Sequence, residues 1–108
     1  PCQGWYEWKV NPTTASKDKY LIEPSTQHAL LMAAVFYPEQ NQFVTLTCEP
    51  SEALNTIHHR MPVVINQDDA QHWLAADPTT AKSLFLSEQR NPYNITLMAP
   101  PAQNLSLF

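Results

Sequence analysis

Two short stretches hold the side chains best suited to moving protons. The first is Gly4-Trp5-Tyr6-Glu7-Trp8-Lys9, a carboxylate among three aromatic rings. The second is Ile57-His58-His59-Arg60-Met61-Pro62, two imidazoles beside a guanidinium. A glutamate flanked by Trp5, Tyr6 and Trp8 would be partly desolvated, which raises its pKa and suits it to hold a proton near neutral pH. A histidine of the second stretch could shuttle protons, and Arg60 could grip a carboxylate or a phosphate. Each stretch also has a plain structural reading: Glu7 as a strand glutamate paired with Lys9 or Lys19, and His58, His59 and Arg60 as the cationic end of a helix. Adjacent histidines diverge on either kind of element, so at most one of the two would face a given site.

Other chemistries find less support. No HExxH or CxxC pattern is present, and His28 and His72 fall at unrelated places, so no metal or other cofactor is expected. Cys48 shares a strand face with Val44 and Leu46 and reads as a small buried residue. Cys2 lies one residue in from the start, with a thiol but no α-amine. Two cysteines in unlike contexts make neither a disulfide framework nor a zinc knuckle, which suggests a reduced, intracellular setting. The net charge of -4 leaves no basic footprint for nucleic acid. No apolar run approaches the ~18 residues needed to span a membrane, and no signal peptide is expected. Asn94-Ile95-Thr96 is then a strand segment.

The elements that must position these residues are mostly strands. With 108 residues, 44% hydrophobic and 15% charged, the chain has the size and composition of one globular domain, 1–108. Ten prolines against one glycine mean that turns rely on proline, asparagine and aspartate. Residues 4–10 alternate as a strand, with Trp5, Glu7 and Lys9 on one face and Tyr6 and Trp8 on the other. A polar hairpin loop is expected over 11–19, a short returning strand over 20–22, and a buried central strand over 29–37 closed by Pro38. Its hairpin partner is the alternating 42–48. Glu49-Pro50-Ser51-Glu52 opens a helix through Leu54 to about His58. A β segment follows over 61–65. Asn66 starts a helix carrying Ala70, Trp73 and Leu74 inward, Asp77-Pro78 starts another holding Ala81, Leu84 and Phe85, and residues 93–98 form a last strand before a proline-broken tail. The order predicts an α+β fold with a mainly antiparallel, barrel-like sheet and peripheral helices.

In this order and separation, the Gly-aromatic-aromatic-Glu-Trp strand, Met32-Ala33-Ala34, Phe43-Val44-Thr45-Leu46-Thr47, His58-His59-Arg60-Met61-Pro62 and the Trp73-Leu74 helix resemble the SRAP (SOS-response-associated peptidase) family, over its C-terminal half. The resemblance implies a single-stranded DNA-binding protein of the DNA damage response. Such proteins bond covalently to abasic sites through a thiazolidine made by an N-terminal cysteine, which also removes the initiator Met. It implies Glu7 and His58 as catalytic residues that transfer protons during sugar opening and Schiff-base formation, with Arg60 and Trp5 at the DNA. A bacterial, cytoplasmic, nucleoid-associated setting follows. The family's nucleophilic cysteine, active-site asparagine and much of its basic surface belong to its N-terminal half. The expected partners are therefore abasic single-stranded DNA and that other half of the domain, with no membrane and no metal. Cys2 falls where the family has a small residue and is not the catalytic cysteine. A truncated, non-catalytic remnant and a cysteine peptidase acting on other proteins are the alternatives.

Overall fold

The computed structural model describes residues 1–25, 29–75, 77, 79–83 and 92–98. β1 (Trp5–Val10) and β2 (Lys17–Pro24) form an antiparallel hairpin in which Trp5 faces Ile22, Glu7 faces Tyr20 and Trp8 faces Lys19. The connecting loop is tighter than the polar stretch suggests. The Asn11 side-chain oxygen accepts the amide of Thr13, its carbonyl accepts that of Ala15, and Ala15 takes a left-handed φ of 61°. The return strand therefore begins at Lys17 and runs well beyond residues 20–22. β9 (Tyr93–Leu97) adds to the other side of β2, giving the order β1-β2-β9. Directly paired residues share a face, so Trp5, Ile22 and Ile95 form one inward row, and Glu7 and Tyr20 begin the next, which opens to solvent at Leu97.

The apolar run 29–37, expected as one buried strand, breaks at Ala33 into β3 (Leu31–Met32) and β4 (Ala34–Tyr37). The 42–48 strand breaks at Leu46 into β5 (Gln42–Thr45) and β6 (Thr47–Cys48). Residues 61–65 break at Val63 into β7 (Met61–Pro62) and β8 (Val64–Ile65). Each segment changes partner at its break: β3 pairs with β8, β4 with β5 and β6 with β7. Three backbone hydrogen bonds close the junction. Leu46 N–H donates to Ala33 C=O at 2.9 Å, Val63 N–H to Leu46 C=O at 2.9 Å, and Ala33 N–H to Val63 C=O at 2.8 Å. The triangle pairs the peptide groups that a partner change would otherwise strand in a buried place.

The core sits beneath this junction. Ile22, Ala33, Cys48, Leu54, Met61, Val63 and Ile65 are buried together, with Trp5, Leu46, Trp73, Tyr93 and Ile95 packed against them. Beyond the junction β4 and β5 project as a hairpin through a turn at Asn41, φ 53°. Phe36 pairs across it with Phe43, and the two are 59% and 68% exposed, so burial of the 29–37 run stops at the junction. Four separate antiparallel ribbons result. The α+β, mainly antiparallel reading holds, but no closed barrel forms among the described residues.

The helices are slighter than the sequence suggests. Residues 52–57 are a run of turns, not a helix: the amides of Leu54 and Asn55 both bond the Ser51 carbonyl, and those of Ile57 and His58 both bond the Leu54 carbonyl. Asn55 and Thr56 are poor helix formers, and burial of Leu54 anchors the segment without a regular ladder. A 3-10 turn, Gln67–Asp69, leads into α1 (Ala70–Ala75); Asn66 precedes it with no side-chain cap bond. Trp73 packs on the core, but Leu74 is 79% exposed, contrary to its expected inward face. Residues 79–83 are helical, and the Asp77 carboxylate accepts the Thr80 amide at 2.8 Å, holding that carboxyl below its usual range. His28, Pro78, Leu84, Phe85 and the tail lie outside the described residues. No helix among the described residues is long and apolar enough to cross a membrane.

Candidate active site

The β1 pleat turns Glu7 inward, leaving its side chain 19% exposed. The turn run after Leu54 delivers His58 to the same place, with its side chain 35% exposed and Nε2 3.7 Å from Glu7 Oε2. These two sequence candidates, from opposite parts of the chain, therefore share one site. The separation exceeds a hydrogen bond, so each group keeps capacity for a third partner.

The aromatic surround of Glu7 differs from expectation. Only Trp5 shares its face; Tyr6 and Trp8 point to the other side of the sheet, where they are exposed, so the three rings do not jointly desolvate the carboxylate. The pairing of Glu7 with Lys19 is also replaced. Lys19, opposite Trp8, sets its ammonium 4.1 Å from the Tyr6 ring centroid and 5.6 Å from that of Trp8. Its interaction is cation–π, on the face away from Glu7. The register 5-22 to 10-17 was the signal for this cluster, and it is visible only once the loop is known to close at residues 11–16.

Trp5 is half-buried, edge-on to Tyr93 with ring centroids 5.4 Å apart, and packs on the core rather than standing free at the surface. Its indole Nε1 is buried with no hydrogen-bond acceptor among the described residues.

His58 and His59 do not diverge. Their rings stack at 4.6 Å with 28° between planes, because they lie at the end of turns rather than on a helix or strand. His58 Nδ1 faces the Arg60 main chain, 3.1 Å from its amide nitrogen and 3.0 Å from its carbonyl oxygen. The Arg60 guanidinium reaches back to β6, donating from Nε to Thr47 Oγ1 at 3.2 Å and from Nη2 to the Thr47 carbonyl at 2.8 Å. Thr47 thus anchors the residue after the histidine pair, a role no local pattern signalled.

The cysteines stand apart from this pair. Cys48 is buried, and that burial pushes its thiol above the ordinary range; Arg60 partly offsets the rise and Glu49 adds to it. Cys2 exchanges two backbone bonds of 2.8 Å with Leu30. Among the described residues no three His, Cys, Asp or Glu side chains cluster as metal ligands would.

Residues 1–101 match the family model for SOS response associated peptidase (SRAP). The abasic site processing protein YoqW of Bacillus subtilis (strain 168) is 29% identical over 100 residues, covering 87% of this chain and 44% of YoqW. YoqW of Bacillus phage SPbeta gives the same values. The abasic site processing protein YobE of Bacillus subtilis (strain 168) is 30% identical over 98 residues, covering 80% of this chain and 43% of YobE. The chain spans less than half the length of these curated relatives.

Proposed function

The chain belongs to the SRAP family, and from that premise we propose that it supplies the proton-transfer half of a site that bonds covalently to abasic single-stranded DNA. The observation that carries this reading is the meeting of Glu7 and His58 at 3.7 Å across the fold. An abasic sugar is mainly a closed hemiacetal. Opening it removes a proton from the C1 hydroxyl and delivers one to the ring oxygen, and imine formation at the exposed aldehyde then expels water. A carboxylate and an imidazole side by side can serve these steps in turn as base and acid. The amine and thiol that close a thiazolidine belong to a cysteine outside these residues, and so does removal of an initiator Met by that cysteine.

Arg60 is the phosphate contact beside the pair, with two N–H groups on Thr47 and others free to turn toward DNA. Trp5 forms the inner wall of the site, and its buried Nε1 takes an acceptor from whatever covers that wall. The other half of the domain is the remaining partner. Its surface of attachment includes the outer edge of β1, unpaired among the described residues, and the exposed β4–β5 hairpin. The working place is wherever the cell's DNA is, the bacterial cytoplasm.

The test mixes the chain with a polypeptide carrying the missing half and an oligonucleotide containing one abasic site, followed by denaturing electrophoresis. A DNA adduct that survives denaturation, and that falls away with Glu7→Gln, is expected. The second reading is a non-catalytic remnant of the family. It predicts that the two halves associate and yield no adduct.

A further inference from the structure

His58 turns one nitrogen to Glu7 and the other to a single residue's main chain. At Nδ1 the Arg60 amide lies at 3.1 Å and the Arg60 carbonyl at 3.0 Å. The amide can only donate and the carbonyl can only accept. With Nδ1 unprotonated, the amide donates into its lone pair, and Nε2–H points at Glu7. With Nδ1 protonated, it donates to the carbonyl, and Nε2 is either bare or, in the imidazolium, also protonated. Nδ1 therefore has a partner in every state with the ring in one place. A histidine held by one carbonyl or one amide is instead fixed in a single tautomer. The stacked His59 ring and the Thr47 anchor on Arg60 hold this geometry from either side.

We propose that the Arg60 main chain is a two-way cradle for His58, and that the charge on Glu7 selects the tautomer of the neutral ring. This rests on the proton-transfer reading of the pair and adds how the imidazole serves both directions. With Glu7 ionised, the neutral ring rests as Nε2–H, its proton aimed at the carboxylate and its Nδ1 on the Arg60 amide. To act as a base, the ring first gives its Nε2 proton to Glu7 or to water and takes one from water at Nδ1, where the Arg60 carbonyl holds it. The proton then enters at Nε2 from the reacting group, giving an imidazolium, and leaves from Nε2 as an acid. Arg60 is a positioning residue in this step, through its peptide groups, and no ring rotation is required.

The experiment is two-bond proton–nitrogen NMR on the ¹⁵N-labelled chain at a pH where His58 is neutral, with its signals assigned from His58→Gln. In the unaltered chain Nδ1 is expected to show the shift of a bare nitrogen and Nε2 that of a protonated one. In Glu7→Gln the ratio of Nδ1–H to Nε2–H is expected to rise at least about tenfold, because Nε2–H no longer points at a negative charge. A ratio that does not move, or an unaltered ring fixed as Nδ1–H, overturns the proposal. A second test replaces the His59–Arg60 amide by an ester through chemical ligation at Cys48, which removes the N–H and keeps the Arg60 carbonyl. A shift to Nδ1–H is expected, and persistence of Nε2–H refutes the cradle. Neither readout uses DNA. Absent crosslinking with the expected tautomers rejects the functional reading alone; a single fixed tautomer with crosslinking intact rejects the cradle alone.

Discussion

His58 Nε2 faces Glu7 Oε2 at 3.7 Å, although one residue ends the turns between β6 and β7 and the other lies on the first strand. The gap is too wide for the two to lock on each other, and it leaves both ends open toward a substrate oxygen. Each side chain is still largely sheltered, so charges formed there are less screened than at an open surface.

With the domain complete, Glu7→Gln and His58→Ala are each expected to slow adduct formation on an abasic strand by about 10²-fold or more. Circular dichroism should be unchanged, because neither side chain belongs to the buried core. Unaltered single-turnover rates in both variants would remove them from the chemistry. Cys2→Ser should leave the rate intact.

Gly4→Ala should destabilise the chain by about 1–3 kcal/mol, as overpacking does. A Cβ at Gly4 would meet the Ile22 carbonyl oxygen at 2.5 Å and Glu23 Cγ at 3.1 Å, and the first of these is backbone of the paired strand. The urea midpoint reads the effect; a midpoint equal to that of the unaltered chain would mean that β1 and β2 lie further apart.

Ala33→Leu tests the three-way junction. Ala33 is 2% exposed and bonds both neighbouring breaks, so a larger side chain is expected to cost about 1–3 kcal/mol. Phe43→Ser, on the projecting hairpin, should alter the isolated chain by no more than about 0.5 kcal/mol. Equal losses at the two positions would show that the hairpin is packed rather than projecting.

Cys48 sets an alkaline limit. Its thiol is raised by burial, so the folded state holds the proton to a higher pH than the unfolded state does. That stabilisation is full below the unfolded pKa and is lost as pH rises through the folded one. The alkaline arm of stability against pH should therefore flatten in Cys48→Ala. Under native conditions iodoacetamide should modify the half-buried Cys2 before the buried Cys48. Equal alkylation rates would contradict the burial.

The hairpin at 38–41 and the face that Glu7 shares with Trp5 and Lys9 are readable from turn residues and alternation, whereas joining the two distant motifs in one site takes the resemblance. No helix forms over 49–58: proline and acids at its start mimic a first turn, whereas burial of Leu54 settles the segment as turns. Leu74, expected inward with Ala70 and Trp73, is exposed because α1 is too short for a stripe wide enough to bury both Trp73 and Leu74.

By itself the sequence determined local matters: which residues alternate, which carry protons, and that Glu7 and Lys9 lie on the face opposite Tyr6 and Trp8. These follow from a two-residue repeat that any strand obeys. Only the tertiary structure decided that Lys19 sits over aromatic rings instead of beside Glu7, and that Ala33, Leu46 and Val63 break their strands together. It also decided that Arg60 turns its guanidinium to Thr47 and its peptide to His58. Each is a contact between segments far apart in the chain. Cross-strand register and the need to pair every buried peptide group choose such contacts, and no single stretch encodes either constraint.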